Sequence, residues 1–191
     1  MGIGELFGLR SAGEARAATA LYASILDRAR EPHFFASLGV PDTVDGRFET
    51  LALHAFLVLC RLKSEPSEAA TGLSRALLEA FFADMDRSLR EMGAADLGVG
   101  RRVKAMAQAL FGRIGAYEKA LAEAGDAALE AALRRNLYGT IDMPRFADLA
   151  TLARYVRRQH AALAAQPFSE LRAGRVEFMD LSDAMGPEVP P

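Results

Sequence analysis

Few side chains in this sequence could do chemistry: three histidines, one cysteine, and carboxylates spread along the chain. A di-metal site in a helical bundle draws on Glu-x-x-His pairs, which set both ligands on one helix face. No glutamate here has a histidine three residues later. His33, His54 and His160 are far apart, and Asp84 and Asp86 would point about 200° apart on a helix. No metal site follows from such a set. His54 or His160 could serve a haem or small-ligand pocket, with Tyr117 in the same bundle interior. A core histidine whose ring nitrogens are satisfied by neighbours explains either residue more simply. Cys60 sits in an apolar run and reads as a small buried hydrophobe, since a reactive thiol needs an exposed, electropositive setting. There is no Gly-x-Ser-x-Gly elbow. Gly98-Val99-Gly100-Arg101-Arg102 could cradle a phosphate at a helix N-terminus, but no strand precedes it and the Walker lysine is missing. The chain is expected to be no enzyme and to need no cofactor.

The charged residues are more informative. In the segment from Phe81 to Met92, Asp84, Arg87 and Glu91 fall on one side of a helix, and Asp86 and Arg90 form an i, i+4 pair on another. Asp84, Ser88 and Glu91 lie on the border of the apolar arc. Two readings fit: a solvated ion-pair face, or a charge network facing another helix or a partner. Arg101, Arg102 and Lys104 fall in the expected first turn of the next helix, where cations oppose the macrodipole. The acids Glu91, Asp96 and Asp84 could compensate them; a bound anion or an acidic partner surface is the alternative.

These residues need a scaffold, and composition says which kind. The chain has 191 residues, 51% of them apolar, enough for one sizeable core. Alanine and leucine dominate and both favour helix. The formal net charge of −2 argues against a dedicated nucleic-acid binder, and no DNA partner is expected. The longest apolar stretch, Leu51 to Cys60 with His54 inside it, is shorter than the ~20 residues of a membrane span. No signal peptide is visible in Met1 to Arg10. The expected location is the cytoplasm, or the periphery of the inner membrane.

Helical periodicity and punctuation predict an all-α, single-domain bundle of six to seven helices. A flexible arm is expected over 1–13, the helical domain over 14–172, and an extended or disordered tail over 173–191. The helices are expected at about Glu14 to Arg30, Asp45 to Lys63, Glu68 to Met92, Val99 to Ala124, Ala127 to Tyr138 and Arg145 to Ala165, with one more turn at Phe168 to Leu171. Phe34, Phe35 and Leu38 suggest a short apolar turn. Asp42, Thr43 or Asp45, then Ser67, then Asp126 are placed to cap helices. The second helix is apolar nearly all round, which makes it central. Gly112 and Gly115 would permit close approach of a neighbour.

The same stretches carry a resemblance. Leu38-Gly39-Val40-Pro41-Asp42-Thr43-Val44-Asp45-Gly46-Arg47-Phe48-Glu49, the helix through His54, Phe81 to Gly93, and Asp96-Leu97-Gly98-Val99-Gly100-Arg101-Arg102-Val103-Lys104 resemble the ubiquinol–cytochrome c chaperone family. The Asp-Met-Asp-Arg-Ser-Leu-Arg-Glu-Met-Gly and Asp-Leu-Gly-Val-Gly stretches are its most specific part. Tyr117 and Asn136-Leu137-Tyr138-Gly139 fit more loosely. The resemblance implies a non-enzymatic role in assembling the cytochrome bc1 complex of the respiratory chain. It also implies cytochrome b or another bc1 subunit as partner, and action near the ribosomal tunnel exit beside a small helical protein.

The reading that joins these expectations is a helical surface with an apolar floor and a charged rim. The rim would be Asp84, Asp86, Arg87, Arg90 and Glu91 with Arg101, Arg102 and Lys104. The alternatives are a small-ligand or haem pocket near His54, His160 and Tyr117, and an RNA- or ribosome-associated factor working through its arginines.

Overall fold

Proline and small polar residues divide the chain into helices. The computed structural model describes residues 12–93, 96–141, 146–180 and 183. Among them are eight α-helices: α1 (Ala12–Ala29), α2 (Pro32–Ala36), α3 (Val44–Lys63), α4 (Glu68–Glu91), α5 (Asp96–Ala122), α6 (Ala127–Leu137), α7 (Phe146–Ala165) and α8 (Phe168–Arg172). Six are long. The other two are single turns, and the apolar turn at Phe34 and Phe35 is α2. Helix α1 starts at Ala12, two residues before the expected boundary, and the rest of the expected arm lies outside the described residues.

Local chemistry sets these boundaries. Pro32 has no N–H to give to α1, and its fixed φ suits the first position of α2. Thr43 caps α3, its hydroxyl accepting from Gly46 N at 3.1 Å. A Cβ at Gly46 would lie 1.9 Å from the Pro41 carbonyl oxygen, so only glycine fits that tight entry. Ser67 caps α4 by accepting from Ala70 N at 3.2 Å. Asp126 stands at the N-cap position of α6 but makes no capping bond; its carboxylate instead accepts from Arg157 Nε on α7 at 2.5 Å.

Helix α3 is the axis of the bundle. Every residue from Glu49 to Leu59 is buried, so this helix needs neighbours on all sides. Helices α1, α4, α5, α6 and α7 pack round it in that order, each against the next, and α8 closes one end against α1 and α4. The seam between α7 and α1 is filled differently. Residues 175–180 run through it outside any helix, with Val176 buried and Gln159, Gln166 and Arg28 holding the backbone.

Three expectations are corrected. Helix α5 begins at Asp96, not Val99, so Gly98 and Gly100 are helical and form no phosphate-cradling loop. Arg101, Arg102 and Lys104 therefore lie beyond the first turn, where the macrodipole has little effect. Among the described residues nothing lies within 4 Å of a Cβ built on Gly112 or Gly115, and none makes the close approach expected there. The spacing of Leu73, Leu77, Leu78, Phe81, Met85, Leu89 and Met92 predicts one inner stripe on α4, yet Met92 is 59% exposed.

Candidate functional site

The apolar stripes of α1, α3, α4 and α5 do not close completely where α4 ends and α3 begins. A groove of about 230 Å³ remains there. Leu26, Ala29, Leu51, Met85, Leu89 and Met106 line it, with Phe48 along one wall. Phe48 is fixed by an edge contact to Phe81, with ring centroids 6.3 Å apart, and by the Arg113 guanidinium 5.6 Å above its ring. At the lips stand Val44, 65% exposed, and Met92, two of the three large exposed hydrophobic residues described. A large apolar side chain left in water next to an apolar hollow marks a contact surface.

Arg30, Arg47, Asp84 and Ser88 form the polar border. Arg47 donates to Asp42 at 2.6 Å and lies 5.7 Å above the Phe35 ring. Asp84 is the best-held of the four, its side chain only 13% exposed. It accepts from the Tyr22 hydroxyl at 2.8 Å and pairs with Arg87. Burial and this carboxylate push the Tyr22 hydroxyl far above its ordinary acidity range, so it stays a donor. Arg30 makes no ion pair among the described residues, which leaves one unneutralised cation on the border.

The expected rim is only partly gathered here. Of its eight residues, Asp84 alone lines the groove, with Arg87 bound to it. Asp86 and Arg90 pair with each other at 2.7 Å elsewhere on α4, and Glu91, on the border of the apolar arc by its spacing, is exposed. Arg101, Arg102 and Lys104 are exposed on α5 and make no ion pair among the described residues, so the acids of α4 do not compensate them. Val44, Met92, Arg30 and Met106 were not marked as site residues by sequence reasoning. The signal available was an apolar residue at the first position of one helix and another just after the last residue of the next.

The expected pocket residues are not brought together. His54 is fully buried; its Nδ1 donates to Thr50 O at 2.7 Å, and its Nε2 accepts from the Tyr155 hydroxyl at 2.8 Å. Burial lowers its pKa to about 4, and nearby Arg28 opposes protonation too, against the contrary pull of the Thr50 carbonyl. It is a neutral core histidine with both nitrogens occupied. His160 Nε2 lies 3.5 Å from Cys60 Sγ, across the α3–α7 interface. Burial and then Glu118 push the Cys60 thiol up, away from thiolate chemistry. Tyr117 packs on Phe56 with ring centroids 5.4 Å apart, in a third place. Among the described residues no three His, Cys, Asp or Glu side chains cluster as metal ligands.

Comparison with known proteins places this geometry in a family. Residues 36–178 match the Ubiquinol-cytochrome C chaperone family. The chain belongs to that family. The matched stretch contains the α3, α4 and α5 walls of the groove, while its α1 wall precedes the match. This chaperone-family chain is 28% identical over 144 residues to the ubiquinol-cytochrome-c reductase complex assembly factor 1 of Xenopus laevis, covering 75% of this chain and 70% of that protein. It is 26% identical over 152 residues to the mitochondrial protein CBP3 of Saccharomyces cerevisiae, covering 77% of this chain and 44% of the yeast protein. The crystal structure of the Cbp3 homolog from Brucella abortus superposes with a TM-score of 0.79 at 37% identity, covering 88% of this chain and 92% of that one. The shared fold is therefore the helical bundle described above.

Proposed function

We propose that this chain is a non-enzymatic assembly chaperone for the ubiquinol–cytochrome c reductase (bc1) complex, holding an apolar segment of cytochrome b in the α1–α3–α4–α5 groove. The observation that carries the reading is the groove itself, with Val44 and Met92 exposed at its lips and Met85 and Met106 inside. A client segment laid there would bury apolar surface at about 25 cal/mol per Å². Methionine suits such a floor, because its flexible, polarisable thioether repacks against differently shaped side chains. The Asp84–Arg87 pair, with Asp86, Arg90 and Glu91 further along α4, would meet the polar flank of the client. Family membership and relatives named as assembly factors support the bc1 complex as destination. Among the described residues no helix is long and apolar enough to cross a membrane, which suits a chaperone working in the cytoplasm or at the membrane periphery.

The test is the pair Val44→Asp and Met92→Asp. Both sites are exposed, so helical content and thermal midpoint should stay near those of the parent. Cytochrome b recovered with the tagged chain should fall at least tenfold, with a matching loss of assembled bc1 complex in cells. Unchanged recovery from the doubly substituted chain, or normal bc1 levels in a deletion strain, would overturn the proposal.

One observation favours a second contact. The exposed side of α5 carries Arg101, Arg102, Lys104 and Lys119, with no ion pair to any of them among the described residues. That side fits an anionic surface such as ribosomal RNA near a tunnel exit, and such binding would weaken steeply as salt is raised.

A further inference from the structure

After α8 the chain turns at Gly174, whose φ is +80°. A Cβ there would lie 3.0 Å from the Ala20 side chain and 3.1 Å from Ala17, so glycine is required on both counts. Residues 175–180 then run outside any helix and antiparallel to α7, Glu177 lying against Gln166 and Met179 against Gln159. The Gln166 amide takes both polar groups of Glu177: its Nε2 donates to the carbonyl, and its Oε1 accepts from the N–H at 3.1 Å. Gln159, fully buried, does the same for Met179 at 3.0 and 3.1 Å. Alternate residues of an extended chain present their N–H and C=O to the same edge. Two glutamines seven residues apart, two turns of one helix, thus bind that edge as a neighbouring strand would.

Between these two points Phe178 turns inward. Its ring lies 5.7 Å from that of His54, and the Arg28 guanidinium sits 5.6 Å above it. Arg28 Nη2 also donates to the Phe178 carbonyl at 3.4 Å. Glu177, between the inward-facing Val176 and Phe178, is exposed. The site therefore has two parts: side-chain amides that bind any extended backbone, and an aromatic socket that selects one side chain. Peptide-binding sites that work by strand addition divide recognition in this way. Past the Arg175 N–H, given to Glu170 O at 2.9 Å, no backbone–backbone hydrogen bond ties the segment to the bundle among the described residues. Its release breaks no helix.

We infer that the α7–α1 seam is a binding site for an extended peptide of a partner protein carrying an aromatic residue at the Phe178 position, and that residues 175–180 fill it as an exchangeable strap. The inference does not rest on the client groove, although both sites use the last turns of α1: Arg28 grips the strap, while Leu26, Ala29 and Arg30 line the groove.

The test uses the full chain and a fluorescently labelled peptide of this sequence's residues 174–180. Substituting Phe178→Ala in the chain empties the socket without removing the strap. The peptide should bind this variant at least tenfold more tightly than the parent, and adding Gln159→Ala and Gln166→Ala should remove at least tenfold of that affinity. No binding to the Phe178→Ala chain, or binding indifferent to the two glutamines, would overturn the inference. Hydrogen exchange on the unsubstituted chain provides an independent arm. The Glu177 and Met179 amides should exchange at least tenfold faster than the buried amides of α7, since the strap opens while the bundle stays folded; equal rates would count against an exchangeable strap.

Discussion

His54 shows how one residue's chemistry is decided by its surroundings. An imidazole in water binds a proton near pH 6.5, but the buried ring between Phe34, Tyr155 and Phe178 does so only near pH 4. Between those values the unfolded chain takes up a proton that the folded chain refuses. The stability contributed by neutral His54 is thus present above about pH 6.5 and is lost as the pH falls toward 4. Over the two units from pH 6.5 to 4.5 this amounts to about 2 to 3 kcal/mol. Urea denaturation of the parent and of His54→Gln at pH 7 and pH 4.5 checks it: the difference between the two pH values should be smaller in the variant by about that amount. Identical differences would mean that His54 is not the group responsible.

Helix α5 is the element whose sequence and setting disagree most. It carries Gly98, Gly100, Gly112 and Gly115 in helical positions, each costing about 1 kcal/mol relative to alanine. A neighbour packed against them could offset that cost, yet among the described residues nothing lies within 4 Å of a Cβ at any of the four. Gly112→Ala with Gly115→Ala should therefore stabilise the isolated chain by about 1 to 2 kcal/mol, measured by chemical denaturation. If the same double variant loses bc1 assembly in cells, the bare side of α5 is a contact surface kept smooth for a partner. The side chains nearby, exposed Phe111 and the cations at the start of the helix, suit that use.

At the scale of the whole molecule, long-range polar ties register the helices round α3. Glu49 on α3 is 6% exposed, and both its carboxylate oxygens are taken by Arg113 of α5, with Nε at 2.5 Å. Arg113 also donates to Ala109 O at 3.0 Å and lies above Phe48, so it connects the ion pair to the groove wall. Removing one partner strands the other. Glu49→Ala should cost about 3 kcal/mol, tempered because the Arg113 side chain is 24% exposed and can reach water. Glu49→Leu with Arg113→Met should recover most of that loss, since well-packed apolar residues replace such pairs at little cost. A double-mutant cycle by urea denaturation reads both values, and strictly additive losses would mean that the pair is not coupled.

The helices themselves were legible because their information is local. Apolar residues repeating every three to four positions, Thr43 and Ser67 ahead of such runs, and Pro32 between two of them act over one or two turns. The centrality of α3 was legible for the same reason, as a run with no polar face. Where local signals misled, tertiary contacts decided. Two glycines before Arg101 read as a loop but are helical, and Asp126 gave its carboxylate to Arg157 rather than to its own helix. The family was readable in the motifs around Asp84 and Gly98. The groove was not, since it is made by residues on four helices that fail to close, and periodicity says which side of a helix turns inward but not where neighbours fall short. Nor was the strap readable: Gln159 and Gln166 look like ordinary surface residues until an extended segment from the end of the chain lies against them. By itself the sequence determined the helices, their inward faces and the absence of any familiar catalytic motif, all set by interactions a few residues long. Only the tertiary structure decided which surfaces remain open and which segment closes the seam, because those depend on contacts between residues up to 150 positions apart.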